Sequence, residues 1–187
     1  MNRFRKRDTY LKCEYFFKAL QTGEFNGNPN VLEDYAMVLL ELGRFEDAKS
    51  LLVQSIQLSP DEGFSKYMTL GQLSSGREAL GFFEKGIELL IRKHGRLQNA
   101  GKHQKALELT SQLAAAYVSA SEIYLTDCCF DEGAEQRAEQ FIQLALNAAP
   151  QSCESHQALA SLRISQTRTE EALQSLLHSY SLWKGLI

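Results

Sequence analysis

The sequence predicts an all-α protein made of stacked helical hairpins. Its 187 residues include only three prolines, and apolar residues recur at intervals of three and four, which is the spacing of one face of a helix. A fixed period is the second observation, because the segments 29–62 and 119–152 are both 34 residues long. These segments place a glycine, an alanine and a proline at the same offsets: Gly43, Ala48 and Pro60 in one, Gly133, Ala138 and Pro150 in the other.

Each of the three shared residue types has a mechanical role in a helical hairpin. A glycine permits the turn between two helices, a small alanine lets the helices cross closely, and a proline ends the second helix. These positions are typical of tetratricopeptide repeats, which stack into a solenoid. We therefore predict a tetratricopeptide-like solenoid of about four repeats, the second irregular, plus an N-terminal helix, in a single domain 8–187. The predicted repeats are 29–62, 63–95, 104–152 and 153–187.

The second repeat departs from the period. Ala79 stands four residues earlier than the period requires, so the first helix of this repeat is predicted to be about one turn short. The polar stretch "GRLQNAGKHQ", residues 95–104, holds two glycines, and we expect 92–105 to form a basic loop. The apolar pattern that follows predicts one long helix from about Lys105 to Leu125.

The two ends of the chain are atypical. Residues 1–7 are basic and predicted to be disordered, and residues 8–22 are predicted to form a helix that packs on the first repeat. The last repeat lacks the turn glycine and the closing proline, as a terminal repeat often does because its outer face meets water. The predicted packing stripe of the first helix comprises Tyr10, Leu11, Phe17 and Leu20.

Charge is distributed unevenly along the chain. With the four basic residues of 1–7 and the five of 92–105 set aside, the formal net charge changes from −3 to −12. An acidic body attracts a basic partner, and we expect no direct binding to nucleic acid. No apolar run is long enough to cross a bilayer and no secretory signal is recognisable, so we expect a soluble intracellular protein. We also expect a monomer.

The stretch "LTDCCFDEG", residues 125–133, raises the question of a metal or redox site. The four cysteines form no CxxC pair and the four histidines are scattered, whereas a zinc site needs about four suitably spaced ligands. Acidic neighbours also disfavour a reactive thiolate at Cys128 or Cys129. We predict an architectural turn in which at least one cysteine is buried and Asp131 caps the next helix. Because the chain shows no catalytic motif either, we expect no metal, no cofactor and no enzyme activity.

The first helices of tetratricopeptide repeats line the concave groove of the solenoid. The side chains predicted to face the groove are mostly acidic, with aromatic and Met residues among them, which suits an extended basic peptide. An acidic ligand is disfavoured, because the clamp that binds carboxylate tails needs Lys and Asn where this chain has Glu33 and Met37. The predicted groove residues are Glu33, Asp34, Met37, Glu41, Tyr67, Tyr124, Asp127, Asp131, Glu154 and Gln157.

Two stretches go beyond the general repeat pattern. They are "KYMTLGQLSSGREALGFFEKGIELL", residues 66–90, and the segment 119–183, which begins "SASEIYLTDCCFDEG". Both resemble the family of dedicated assembly chaperones of large-subunit ribosomal protein four, in which a shortened "QLSSG"-like repeat and an "EIYLTD" segment recur. The irregular second repeat is the most specific part of the resemblance.

The resemblance implies a function. A member of this family would capture the newly made ribosomal protein through its long basic loop, prevent aggregation, and accompany it from cytoplasm to nucleus for assembly into the pre-ribosome. From their position in the third repeat, we expect four residues at the client surface: Glu122, Tyr124, Asp127 and Asp131. Glu122 and Tyr124 could instead be buried between helices. The alternative is a general tetratricopeptide scaffold that joins unrelated proteins, since the fold alone does not identify a partner.

Overall fold

A computed structural model describes residues 3–21 and 27–185 of the chain, and the side chains of residues 9–18 and 27–185. Every regular element in these ranges is an α-helix, which confirms the predicted fold class. The chain divides into two compact units, residues 1–73 and 74–187. Unit 1 contains α1 (Arg3–Gln21), α2 (Pro29–Glu41), α3 (Phe45–Leu58) and α4 (Phe64–Leu73). Unit 2 contains α5 (Gly76–Asn99), α6 (His103–Leu125), α7 (Ala134–Ala148), α8 (Cys153–Ser165) and α9 (Thr169–Lys184).

In unit 1, α2 and α3 form the hairpin of the first predicted repeat. Asn28 caps α2 by accepting a hydrogen bond from the backbone N–H of Asn30, and Pro29 opens the helix. The turn passes through Gly43, whose φ of 75° lies in the left-handed region. Ala48 is completely buried. Glycine and alanine therefore have the roles predicted from the period.

The predicted packing stripe of α1 is wrong. Tyr10, Leu11 and Phe17 are 61, 58 and 52% exposed. The contact with α2 is made instead by Phe16, whose ring stacks on Tyr35 with centroids 5.6 Å apart, and by the buried Thr9. The helix carries two neighbouring apolar stripes, and the stacking on Tyr35 selects the second. Leu20 lies outside the described side chains.

The prediction of a disordered segment 1–7 is corrected for residues 3–7, because α1 begins at Arg3, and residues 1 and 2 lie outside the described residues. Arg and Lys are good helix formers, so a basic composition does not prevent the helix from extending toward the N-terminus. The short first helix of the second repeat is observed, since α4 has only ten residues. The division between the two units falls between α4 and α5, inside the predicted second repeat. The single domain 8–187 remains a prediction.

In unit 2, α5 packs on α6, α6 packs on α7, and α8 packs on α9. Gly133 opens α7 with a φ of 74°, and Ala138 is completely buried, as the repeat predicts. The last repeat has no glycine at its turn, and Thr167 takes the left-handed conformation there with a φ of 60°. Its turn nevertheless closes like the first one. Arg168 donates its backbone N–H to the carbonyl of Arg163 at 2.8 Å, as Arg44 does to Leu39 at 2.9 Å.

The basic segment 92–105 is largely helical and not a loop. The helix α5 continues to Asn99, and α6 begins at His103, so only three residues connect them. Gly101, with a φ of 70°, ends α5 in a Schellman motif: its N–H bonds the carbonyl of Gln98, and the N–H of Lys102 bonds that of Leu97. The polar composition suggested a loop, but Arg, Lys and Gln favour helix, and Gly95 is tolerated within it.

No helix within the described residues is both long enough and apolar enough to cross a membrane.

Candidate functional site

Three of the predicted groove residues in unit 1 form one exposed surface on α2. Asp34, Met37 and Glu41 follow each other at helical spacing, so they share a face of the helix. All three are exposed, Met37 by 52%. The carboxylate of Glu41 accepts a hydrogen bond from the hydroxyl of Thr9 at 3.0 Å. We call these three residues the α2 surface.

The other two predicted residues of unit 1 have different surroundings. The side chain of Glu33 is 21% exposed, and its carboxylate accepts a hydrogen bond from the Ser55 hydroxyl at 2.9 Å. Tyr67 is 5% exposed and donates its hydroxyl proton to the carbonyl of Pro60 at 2.7 Å. The structure therefore places Glu33 and Tyr67 within the packing of unit 1.

Lys66, which the sequence analysis did not single out, is the largest fully buried side chain among the described residues. Its Nζ donates to the carbonyl and the hydroxyl oxygen of Ser59 at 2.8 and 2.7 Å. It also contacts both oxygens of Ser55 at 3.3 Å and lies 3.4 Å from the carboxylate of Glu33. This ammonium joins α3, α4 and α2. Nothing in the sequence around Lys66, next to a tyrosine at the start of a short helix, indicates that it is buried, because lysine is rarely buried.

In unit 2, Tyr124 is buried between helices, which was one of its two predicted placements. Its ring stacks on Phe141 with centroids 6.0 Å apart. The guanidinium of Arg137 donates to the Tyr124 hydroxyl at 3.3 Å and lies 5.8 Å from the ring centroid. Tyr124 therefore joins the end of α6 to α7.

Asp127 and Asp131 both bind the start of α5. The carboxylate of Asp127 accepts the backbone N–H of Gly76 at 2.8 Å, which caps this helix from a distant part of the sequence. The carboxylate of Asp131 accepts two hydrogen bonds from the guanidinium of Arg77, both at 3.1 Å. The prediction that Asp131 caps α7 with its side chain is wrong. The cap residue of α7 is Gly133, and no side chain bonds there.

The remaining predicted residues of unit 2 are open to solvent. Glu122 on α6 is exposed, and so are Glu154 and Gln157 on α8. The helices α6 and α8 are the first helices of the third and fourth repeats, and they pack on each other. The carboxylate of Glu154 accepts the hydroxyl proton of Ser152 at 3.1 Å. We call Glu122, Glu154 and Gln157 the α6–α8 surface.

The adjacent cysteines have different environments. Cys128 is buried, and Cys129 is exposed. Burial raises the pKa of the Cys128 thiol, and the carboxylate of Asp131 raises it further. Phe130, between this pair and Asp131, is completely exposed. Among the described side chains, no group of three His, Cys, Asp or Glu residues could hold a metal ion. The prediction that at least one of the two cysteines is buried is confirmed.

A cavity of about 410 Å³ lies beside this turn in unit 2. The charged groups that line it are two guanidinium groups, of Arg77 and Arg137, and three carboxylates, of Glu84, Asp131 and Glu132. Because Arg77 is already paired with Asp131, the carboxylates of Glu84 and Glu132 add negative potential to this part of unit 2.

Comparison with known proteins identifies relatives, although no family model matches the chain. A protein of Schizosaccharomyces pombe named "Probable assembly chaperone of rpl4" is 33% identical over 144 residues, which cover 74% of this chain and 41% of the relative. A protein of Emericella nidulans with the same name is 32% identical over 166 residues, covering 83% of this chain and 39% of the relative. The chain thus spans about two fifths of the length of these curated relatives.

Solved structures agree with this result. The structure titled "Assembly Chaperone of RpL4 (Acl4) (Residues 1-338)" superposes with a TM-score of 0.88 at 26% identity, covering 98% of this chain and 72% of that one. The crystal structure of MamA superposes with a TM-score of 0.65 at 16% identity, covering 99% of this chain and 96% of that one, and this likeness shows the fold alone. The predicted solenoid fold and the predicted resemblance are both confirmed.

Proposed function

We propose that this chain, a homologue of the assembly chaperones of rpl4, binds newly made large-subunit ribosomal protein four and keeps it ready for assembly into the pre-ribosome. The observation that carries the proposal is the homology to two proteins of that name over 74 and 83% of the chain. The TM-score of 0.88 to a structure of the same title supports it. The protein would meet its client in the cytoplasm, accompany it to the nucleus, and act by binding and not by catalysis.

The two exposed surfaces have the chemistry that a basic client segment requires. Asp34 and Glu122 make no ion pair with any described side chain, so their charge remains available to a cationic ligand. Opposite charges accelerate encounter and fix the register of an extended peptide, whereas apolar anchors slow its dissociation. Met37, exposed between two carboxylates, is suited to the role of anchor because its side chain adapts to varied partners.

We assign client contact to the α2 surface and the α6–α8 surface, and a supporting role to the Asp127 and Asp131 carboxylates. These two acids hold α5 against the turn that follows α6. Reversing their charge would therefore perturb the fold of unit 2 together with any binding. A variant that separates binding from folding must use acids whose side chains hold no other helix in place.

The experiment is a binding titration of purified ribosomal protein four with the wild type, with D34K, and with E122K/E154K. Glu41 is left unchanged, because its carboxylate bonds Thr9 of α1. We expect both variants to weaken binding, E122K/E154K by about tenfold or more, because each change replaces an attractive charge with a repulsive one. Wild-type affinity should also fall as salt rises, since the contacts are exposed and therefore screened. Circular dichroism of each variant would verify that its helix content is retained.

The matched controls are E62K for D34K and E62K/E170K for E122K/E154K, which make the same changes in net charge at exposed positions outside both surfaces. Their affinities should remain within about twofold of the wild type. Equal weakening by the controls and the surface variants would show that only net charge matters. Absence of binding to protein four would contradict the proposal and favour a general tetratricopeptide scaffold.

A further inference from the structure

The end of the α5–α6 hairpin carries a concentration of positive charge that client binding does not explain. No Asp or Glu occurs between Glu88 and Glu108, whereas five Lys or Arg residues do. Every residue from 91 to 105 is exposed or half-buried. We call residues 92–105 the cationic tip.

Helix lengths place the cationic tip away from the rest of unit 2. The helix α6 has 23 residues and its hairpin partner α7 has 15. Because the turn after Leu125 joins these two helices, the N-terminal eight or so residues of α6 extend beyond α7, by about 12 Å. The antiparallel α5 accompanies this extension with its last two turns. This distance exceeds the Debye length of about 8 Å at physiological salt. Salt therefore screens the negative charge of the acidic body, which weakens the positive potential at the tip only slightly.

The tip holds its charges in a defined arrangement. The Schellman motif at Gly101 fixes the connection between the two helices with two backbone hydrogen bonds, at 3.0 Å from Gly101 and 2.9 Å from Lys102. Neighbouring packed helices lie about 8–10 Å apart. Cations from the end of α5 and the start of α6 are therefore held side by side and not spread along a flexible loop.

Three of the five cations are available to a ligand. The side chain of Arg92 is paired with Glu88. Arg96, Lys102 and Lys105 make no ion pair with a described side chain, and all three are exposed. The first turn of α6 between them contains no acidic residue, and no side chain caps it. Its backbone N–H groups add positive potential at the same end of the hairpin.

We propose that the cationic tip binds the phosphate backbone of RNA without reading its sequence, contrary to the expectation of no direct nucleic-acid binding that the acidic body gave. Guanidinium and ammonium groups on a rigid element are suited to phosphate oxygens. The tip contains no Phe, Tyr or Trp on which bases could stack, so contacts would be to the backbone. An acidic protein segment is the less favoured ligand, because protein interfaces depend on buried aromatic anchors that the tip lacks. The choice of RNA as the source of the phosphate backbone rests on the proposed function. The cationic site itself does not rest on the proposed function.

The test is fluorescence polarisation of a labelled structured RNA with the client-free protein. The wild type should bind with the micromolar affinity of non-specific contacts, about 10⁻⁴–10⁻⁶ M. The R96E/K102E/K105E variant should lose at least about tenfold, and the slope of log affinity against log salt should become shallower by about 2 to 3, the value for three phosphate contacts. The matched control K12E/K49E/K184E makes the same change in net charge and should remain within about threefold of the wild type.

Three results would overturn the inference: no binding of RNA by the wild type, equal loss in the tip variant and the control, or equally tight binding of a polyglutamate peptide. The tip variant should still bind ribosomal protein four as tightly as the wild type does. If the tip variant loses RNA binding but still binds the client, the inference about the tip is supported. If neither the wild type nor any variant binds the client, the result counts against the proposed function and not against the tip.

Discussion

The carboxylate of Asp127 accepts a hydrogen bond of 2.8 Å from the backbone N–H of Gly76, the first residue of α5, across 51 residues of sequence. The N–H groups at the start of a helix have no partner within the helix, so an acid at this position satisfies one of them and favours the helix dipole. Asp127 therefore does for α5 what a local cap does for α2. The same turn also holds Arg77 through Asp131.

The first prediction concerns this distant cap. D127A should lower the free energy of unfolding by about 1 kcal/mol, and D127N by less because the amide oxygen still accepts a hydrogen bond. Urea unfolding would give both values. Amide hydrogen exchange should also accelerate in the first turn of α5. D34A, at an exposed position on α2, should change stability by less than about 0.5 kcal/mol. If D127A and D34A behave alike, the capping role is wrong.

The second prediction concerns the buried ammonium of Lys66. K66M should destabilise the protein by about 2–4 kcal/mol, because it leaves the carboxylate of Glu33 without its counter-charge and removes a donor from the oxygens of Ser55 and Ser59. E33L should also destabilise it, since the ammonium then loses its counter-charge. The double variant K66M/E33L should lose less than the sum of the two single variants, because neither charge remains unpartnered.

Urea unfolding of all three variants measures this coupling. K105M, at an exposed position of α6, is the control and should be nearly neutral. Strict additivity of the two single changes would show that Lys66 and Glu33 do not interact.

The third prediction concerns the turn of the last repeat. Thr167 has a φ of 60°, and a residue with a Cβ atom in this conformation costs about 1–2 kcal/mol. T167G should therefore raise the free energy of unfolding by roughly 1 kcal/mol, part of the relief being offset by the greater freedom of glycine in the unfolded chain. T167A retains the Cβ atom and should gain much less. Thermal unfolding compares the two, and a glycine variant less stable than the wild type would refute the argument.

The fourth prediction concerns the adjacent thiols. Iodoacetamide near neutral pH should modify Cys129 at least about tenfold faster than Cys128, because only the thiolate reacts and Cys128 is buried with a raised pKa. Mass spectrometry of the peptide after timed quenching would locate the modification. In urea both thiols should react readily. Equal rates in the folded protein would mean that Cys128 is accessible.

Much of the fold follows from local patterns in the sequence. The turn glycines, the buried alanines Ala48 and Ala138, and the short α4 all stand where the period places them. The long helix predicted from Lys105 begins at His103 and ends at the predicted Leu125. These features depend on backbone conformation and on periodicity within one hairpin, and both are encoded by neighbouring residues.

The errors arose where one local pattern permits two arrangements. The stripe of Tyr10, Leu11 and Phe17 has helical spacing, but its neighbour with Phe16 has the better contact with Tyr35. The polar segment before Lys105 suits a loop and a solvated helix equally well, and its helices form because α5 and α6 pack on each other. Asp131 precedes a helix as a cap residue would, but Arg77 offers a stronger, charged partner.

By itself the sequence determined the all-α class, the repeat period, the acidic body with its basic segment, and the resemblance that the relatives confirmed. Only the tertiary structure decided which acids are exposed and which are used within the fold. Asp34 and Glu122 face solvent, whereas Glu33 and Asp127 bind Lys66 and the start of α5. The physical reason is that a carboxylate takes the donor nearest in space, and those donors lie 33 and 51 residues away in sequence.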